Sequence, residues 1–364
     1  MTAKQTFLRD RVAAVSNRTG TVENGDKLQV LEKGRRFLRV QTGKGEQGWI
    51  DEKAVATQEI FDQFEALKRD HERDQVVASG VVRDDVYLHT KPGRDSDRLF
   101  RLPEGEKLRL LKRATVPKPL PPGQSAPVPV KPSTVAQTKR TKAAAEEKPE
   151  EPEAPAAPVM EDWWLIRDSK GDTGWLYSRM MDVDVPDAIM RYSEGQRVVG
   201  AYVLATLNDP EAPFDDKNIR EYVTVLSPYK AGLPYDFDQV RVFIWNMKKH
   251  RYETAFRERN IEGYLPVEVR MAKDPYGASP ASAFEAPTFS FHVLSDDAPV
   301  VIPDPVTGLM VPSKTNLKTY RLEGNLVRRL VQPGTTPPGD AHPEPVAEKK
   351  KKKTSGVKPG RRRR

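Results

Sequence analysis

The chain has 364 residues with a formal net charge of +8, of which 31% are charged and 37% hydrophobic. It contains no cysteine, which excludes disulfides, thiolate nucleophiles and cysteine-ligated metal sites. Residues 333–364 hold ten basic and three acidic residues, so seven of the eight net positive charges lie there and the rest of the chain is nearly neutral.

The first predicted domain covers residues 7–57. The stretches LQVL and FLRVQT alternate apolar and polar residues at period two, which is typical of half-buried strands. Turn-forming residues between Gly43 and Gly48 predict a hairpin that ends in GEQGWI, residues 45–50. The size and strand pattern favour a small β-barrel.

A helix is predicted next, over residues 58–75. Ile60, Phe61, Phe64 and Leu67 form an apolar stripe at helical spacing, and Thr57 can cap its start. We interpret it as a spacer helix that packs on a neighbouring barrel. The alternative is a helix that binds a partner.

The following region, residues 76–186, repeats the first domain. GDKLQVL (25–31) matches GEKLRLL (105–111), and FLRVQTGKGEQGWI (37–50) matches WWLIRDSKGDTGWL (163–176) without a gap. In the second copy residues 115–160 separate the two blocks, and 11 of these 46 residues are proline. We therefore predict a second barrel with a disordered insertion in one loop, which costs little because loop-closure entropy grows slowly with length.

These two copies resemble bacterial SH3-like domains. VYLHTKPGRDSDRLFRLPEGEKLRLL is similar to the opening of that family, and GWI and GWL are similar to its closing strand. The first copy departs from the family pattern because RVAAVSNRTG lacks the usual loop proline. The resemblance implies two small barrels, in an arrangement similar to uncharacterised bacterial envelope proteins.

Residues 187–332 are predicted to form a further β-rich domain. Short segments such as EYVTVLSP, QVRVFIWNM and TFSFHVLS are rich in β-branched and aromatic residues. We expect a β-sandwich or a propeller-like sheet, so the chain as a whole is mainly β. Residues 333–364 are predicted to be a disordered basic tail.

No pattern of catalysis is found. The histidines do not form a metal-binding spacing, and neither a nucleophile elbow nor a phosphate-binding glycine loop is present. We predict no enzyme, no catalytic residue, no metal and no cofactor. One group of acids could hold calcium, but it lacks the alternate-residue pattern of a calcium loop: Asp209, Glu211, Asp215 and Asp216.

The resemblance implies binding of a cell-wall peptide or glycan. Tyr87 and Tyr177 are our candidate ligand-binding residues, with packing inside the barrel as the alternative for both. The motif residues are expected to be core rather than ligand contacts: Gly48, Trp49, Gly174 and Trp175. The basic tail could attract an anionic polymer or surface.

Together these patterns predict a non-enzymatic binding or scaffold protein of the bacterial cell envelope. One alternative is an intracellular adaptor that binds proline-rich peptides, including its own PKPLPP; another is an unrecognised hydrolase in residues 187–332. The sequence has no run of 18 apolar residues, so no transmembrane segment is predicted, and no secretory signal is visible. The expected location is the envelope or outside the cell if a signal precedes this chain, and otherwise the cytoplasm.

Overall fold

Three antiparallel sheets make up the described part of the protein. The computed structural model describes residues 1–119, 158–277 and 280–343, and the prediction of a mainly β fold is confirmed. None of the helices in these ranges combines the length and the apolar character that crossing a bilayer requires.

The first sheet belongs to residues 1–57, which we call the first unit. Its strands run in the order β2-β1-β5-β4-β3 around a core that includes Leu8, Val40 and Ile50. The strands are β1 (Gln5–Arg9), β2 (Arg18–Glu23), β3 (Leu28–Lys33), β4 (Phe37–Thr42) and β5 (Gln47–Asp51).

Helix α1 spans Gln58–Asp70, within the range predicted for it. Phe64 is 1% exposed and lies in the core of the following sheet, and the other stripe residues pack around the same core. Thr57 occupies the N-cap position, but its side chain makes no capping hydrogen bond. The apolar stripe therefore attaches the helix to the sheet that follows it.

The second sheet, with residues 76–186, forms what we call the second unit. Its seven strands are β6 (Ala78–Val82), β7 (Val86–His89), β8 (Arg98–Leu102), β9 (Lys107–Pro117), β10 (Met160–Arg167), β11 (Thr173–Tyr177) and β12 (Met181–Val183). The order is β12-β6-β9-β10-β11-β7-β8. Strands β7 to β11 thus repeat the arrangement of β1 to β5, and β6 and β12 are added beside β9.

The hairpin of β9 and β10 carries the proline-rich insertion. Its ladder continues to the pair Pro117–Met160, so residues 115–117 and Met160, which we expected to be disordered, belong to strands. Proline is tolerated there because it ends the strand and leaves the earlier ladder bonds intact. The remaining predicted insertion, residues 120–157, lies outside the described residues.

The third sheet, which we call the C-terminal sheet, is a meander of seven strands in sequence order. The strands are β13 (Arg197–Asn208), β14 (Asn218–Ser227), β15 (Phe237–Asn246), β16 (Arg251–Ala272), β17 (Ala286–Leu294), β18 (Thr315–Glu323) and β19 (Leu326–Arg329). A short helix, α2 (Asp187–Met190), precedes it.

Residues 187–332 form a single curled sheet, a more specific form than the sandwich or propeller-like sheet we expected. All seven strands belong to one sheet, and β13 also contacts β16 and β17, so the sheet curls. Curling lets one sheet enclose its own core, in which Phe237, Phe289 and Phe291 are fully buried. A second layer is therefore not needed to remove these rings from water.

The beginning of the predicted tail is ordered, which corrects our expectation of disorder from residue 333. Asn316 Nδ2 donates to the Gly339 carbonyl at 2.7 Å, and Asp340 forms a β-bridge with Ser295. Lys318, 3% exposed, lies 2.5 Å from the Asp340 carboxylate. Proline and glycine content suggested disorder, but polar groups of the C-terminal sheet bind this segment. Residues 344–364 lie outside the described residues.

Polar contacts join the units to one another. Asn24 of the first unit donates to the Leu99 carbonyl of β8 and accepts from Arg101 N, both at 2.9 Å. Arg113 of β9 joins the second unit to the C-terminal sheet, because its Nε lies 2.8 Å from Asp236 Oδ1.

Candidate functional site

The repeated Gly-Trp motif is explained by a close approach between strands. A Cβ added at Gly48 would lie 2.7 Å from Leu8 Cβ, and one added at Gly174 would lie 2.9 Å from Leu88 Cβ. Such distances are shorter than any normal carbon–carbon contact. In both units, then, glycine allows the second strand of the hairpin (β5 or β11) to pass close to the first strand of the unit (β1 or β7).

The two tryptophans that follow these glycines have different surroundings. Trp175 is 7% exposed and packs in a cluster with Trp163 and Leu165. Trp49 is only half-buried and lines an open groove of about 580 Å³ together with Phe7. The expectation that these residues are core therefore describes the surroundings of Trp175 better than those of Trp49.

Residues from elsewhere in the chain cover the aromatic cluster of the second unit. Leu309 forms a β-bridge with Ala114, and Thr115 N donates to the Gly308 carbonyl at 2.7 Å. Leu67 of α1 packs on the same cluster. Leu309 and Leu67 thus cover the Trp175 cluster, whereas Trp49 of the first unit lines a groove.

The two candidate tyrosines lie on the neighbouring antiparallel strands β7 and β11. Tyr87 is half-buried, with the guanidinium of Arg98 5.5 Å from its ring centroid. Tyr177 is also half-buried, with its ring centroid 5.6 Å from that of Trp163 and the Arg94 guanidinium 5.0 Å away. Among the described residues no ring contact joins Tyr87 to Tyr177, and each ring has its own arginine neighbour.

Tyr177 lines a cleft of about 550 Å³ between the second unit and the C-terminal sheet. Across this cleft lies Tyr229, which is 70% exposed. Two aromatic rings therefore border one opening, a composition typical of sites that bind a ligand by its flat or apolar parts.

The cleft carries an excess of positive charge. Four basic residues line it: Arg83, Arg179, Arg197 and Lys230. Only two carboxylates accompany them, and both have partners. Asp182 pairs with Arg83 at 3.1 Å, while Asp162 is buried and accepts from Thr115 Oγ1 at 2.7 Å.

The three remaining cations have no carboxylate of their own. Within the described ranges no carboxylate oxygen lies within 4.0 Å of Arg179, Arg197 or Lys230. Burial lowers the pKa of Arg197, opposed by the nearby charge of Asp162, and its Nε is buried without a hydrogen-bond partner among the described residues. These groups are suited to bind an anionic group such as a carboxylate or phosphate.

Sequence reasoning identified Tyr177 but missed the other residues of this cleft. Tyr229 and Lys230 follow β14, more than fifty positions after Tyr177, in the segment SPYK. No repeat or motif connects that segment to GWLYSR. Only the packing of the second unit against the C-terminal sheet places them together.

The acidic residues considered for calcium have another role in the structure. Asp209 is 2% exposed and accepts a hydrogen bond from Trp245 Nε1 at 2.6 Å, with His250 Nδ1 2.8 Å away. Its carboxylate is therefore engaged in fixing the end of the β15–β16 hairpin. Across the described residues no group of three or more acids and histidines is arranged to hold a metal ion.

Comparison with known proteins gives one result for the first unit. A search of curated proteins finds no match to this chain. Residues 5–56, which contain all five strands of the first unit, match the family model of the bacterial SH3 domain.

Proposed function

We propose that the protein is a non-enzymatic binding or scaffold protein of the bacterial cell envelope. In this proposal the second unit is a further SH3-like domain, and the chain recognises an anionic wall peptide or glycan through the cleft beside Tyr177. The observation that carries the ligand assignment is that three cations, which have no carboxylate partner in the described part of the chain, line the same cleft as Tyr177 and Tyr229.

Two further observations support this function. The match of residues 5–56 to the bacterial SH3 domain suggests a binding or scaffold role. The second unit has the same relative strand order as the first, and its Gly174 makes the same close approach as Gly48. Wall peptides end in carboxylates, which arginine and lysine bind with charge-assisted hydrogen bonds.

The test is co-sedimentation with isolated peptidoglycan at low and high salt. The full chain is compared with a form that ends at Pro343, because residues up to 342 contact the C-terminal sheet. We expect the shortened form to keep salt-resistant binding. This comparison separates recognition in the cleft from attraction by the basic residues 349–364, a contribution that salt screens.

Variants then locate the binding. Arg179→Gln combined with Lys230→Gln should weaken binding by about tenfold or more, since each charge-assisted hydrogen bond contributes about 1.5–3 kcal/mol. Tyr177→Ala should also weaken it. Lys248→Gln and Tyr276→Ala, at exposed positions outside the cleft, are the matched controls. Binding that requires the tail and is lost at high salt would contradict the proposal. Binding that Tyr177→Ala leaves unchanged would also contradict it.

A further inference from the structure

The first and second units differ at one edge of their sheets. In the second unit β9 pairs with β10 on one side and with β6 on the other. In the first unit β3, which corresponds to β9, pairs with β4, and the described residues provide no strand on its other side. The backbone of β3 therefore presents an unpaired row of N–H and C=O groups, as free edge strands do.

The side chains along this edge show the consequence. Leu110 of β9 is 1% exposed because β6 lies against it, whereas Val30, the corresponding residue of β3, is 53% exposed. The repeated sequences GDKLQVL and GEKLRLL fix this correspondence, since they align Lys27–Val30 with Lys107–Leu110. An apolar side chain that the second unit buries is thus left open to water in the first.

A cavity lies beside the free edge. It measures about 380 Å³ and is lined by Leu28, Val30, Leu38 and Val40 of the first unit, together with Phe61 of α1 and Leu99 of β8. Leu38 and Val40 are core residues of the first unit. The cavity therefore opens the core at the side where β6 closes the second unit.

Backbone hydrogen bonds show where a strand placed beside β3, in the position that β6 has beside β9, would end. In the second unit Val82, the last residue of β6, donates to the Glu106 carbonyl and accepts from Gly105 N. In the first unit Met1 makes the same two bonds with the corresponding residues, donating to the Asp26 carbonyl and accepting from Gly25 N. The same two backbone hydrogen bonds therefore form at this place in both units.

We propose that the free edge of β3 binds an extended peptide segment of a partner protein, which adds a strand antiparallel to Lys27–Val30. The bound segment would have small residues at alternate positions that face the cavity. Strand β6 provides the template, because its inward residues are Ala78 and Gly80, both buried. Backbone hydrogen bonds to an edge strand supply affinity, and alternate side chains in the cavity supply specificity.

This inference does not depend on the wall ligand. The edge of β3 lies in the first unit, whereas the cleft beside Tyr177 lies between the second unit and the C-terminal sheet. Loss of one binding activity would leave the other unaffected.

The probe is a fluorescein-labelled peptide with the sequence of residues 73–81, RDQVVASGV, titrated into the full chain and followed by anisotropy. We expect saturable 1:1 binding, with new protection from hydrogen exchange at residues 27–30 and none at residues 107–110, whose edge β6 already covers. A peptide with proline at the Ala78 and Gly80 positions should not bind, because proline cannot donate to the ladder.

A matched pair of variants separates docking from nonspecific adhesion. Val30→Lys places a charge where the cavity face of the peptide would lie, and should weaken binding by at least about tenfold. Leu31→Lys is the control, since Leu31 is 42% exposed but does not line the cavity. Absence of binding, or equal binding by both variants, would overturn the proposal. So would concentration-dependent self-association that Val30→Lys abolishes and the peptide does not inhibit, since the occupant would then be a second copy.

Discussion

The first and second units share the order of five strands and the close approach at the Gly-Trp motif, but their surroundings differ at three places. In the second unit α1 inserts Phe64 into the core, β6 covers β9, and Leu309 covers the aromatic cluster around Trp175. In the first unit β3 has a free edge and Trp49 lines an open groove.

This difference teaches that a repeated sequence fixes a local arrangement of strands but not which of its surfaces remain free. The second unit receives its coverage from segments before and after the repeat, so it acts as the structural centre that joins α1 to the C-terminal sheet. The first unit keeps the edge of β3 and the groove beside Trp49 open. Four predictions test this division of roles, from the largest expected effect to the smallest.

Phe64→Ala should produce the largest loss. Phe64 is 1% exposed in the core of the second unit, and truncating such a ring leaves a cavity that costs about 3–5 kcal/mol. Hydrogen exchange should show faster opening of β9 and β10 and little change in β4 and β5. Phe284→Ala, at a position 71% exposed, is the control and should stay within about 0.5 kcal/mol in urea denaturation. Equal losses in both units would contradict the assignment of α1 to the second.

Arg113→Met and Lys33→Met compare corresponding residues with different burial. Arg113 pairs with Asp236 at 2.8 Å, and the two side chains are 7% and 14% exposed, so removing Arg113 leaves a largely buried carboxylate without its cation. The loss should be about 3 kcal/mol, near the lower end of the range for buried pairs because Asp236 still accepts from Leu265 N.

Lys33 is the exposed residue at the corresponding position of the first unit. It pairs with Glu52 at 3.1 Å, but the two side chains are 71% and 46% exposed, so Lys33→Met should cost less than about 1 kcal/mol. Urea denaturation of both variants measures the difference. Similar losses would mean that the contact between the second unit and the C-terminal sheet contributes little to stability.

Gly48→Ala and Gly174→Ala test the feature that both units share. Each added methyl group would meet a leucine Cβ at less than 3.0 Å, and overpacking of this kind costs about 1–3 kcal/mol. Each variant should destabilise its own unit, as measured by hydrogen exchange. Gly43→Ala is the control because no atom lies within 4 Å of its added Cβ. If either variant were as stable as the parent, the steric explanation of the motif would be wrong for that unit.

Much of this arrangement could be predicted from the sequence because it depends on local signals. Alternation at period two predicted the hairpins, and the apolar stripe around Phe64 predicted α1. The ungapped repeat predicted that the Pro-rich segment interrupts one hairpin. These signals act within about twenty residues, over which side-chain periodicity directly reflects burial.

The unpredicted features all depend on distant contacts. Leu309 covers the Trp175 cluster from a loop over 130 residues away, and Tyr229 lines the same cleft as Tyr177 because the second unit and the C-terminal sheet pack together. The ordered segment around Asp340 looked like tail by composition, but it satisfies the buried Lys318. Neither propensity nor pattern carries information on such pairings, so the candidate cleft could not be found from the sequence alone.

The smallest effect should come from the pH dependence of His89, which occupies the position of Arg9 in the first unit. Burial lowers the pKa of His89, partly opposed by its contact with Ser96, so the folded second unit favours the neutral ring. The unfolded chain binds a proton near pH 6.5.

The contribution of His89 to stability is therefore complete above that pH and decreases as pH falls toward the lower pKa of the folded state. The first unit has an arginine and not a histidine at this position, so acidification should weaken the second unit more than the first through it. Hydrogen exchange at pH 7 and pH 5.5 measures the two units separately, and His89→Gln should remove this part of the second unit's pH dependence. A variant that kept the full pH dependence would assign it to other groups.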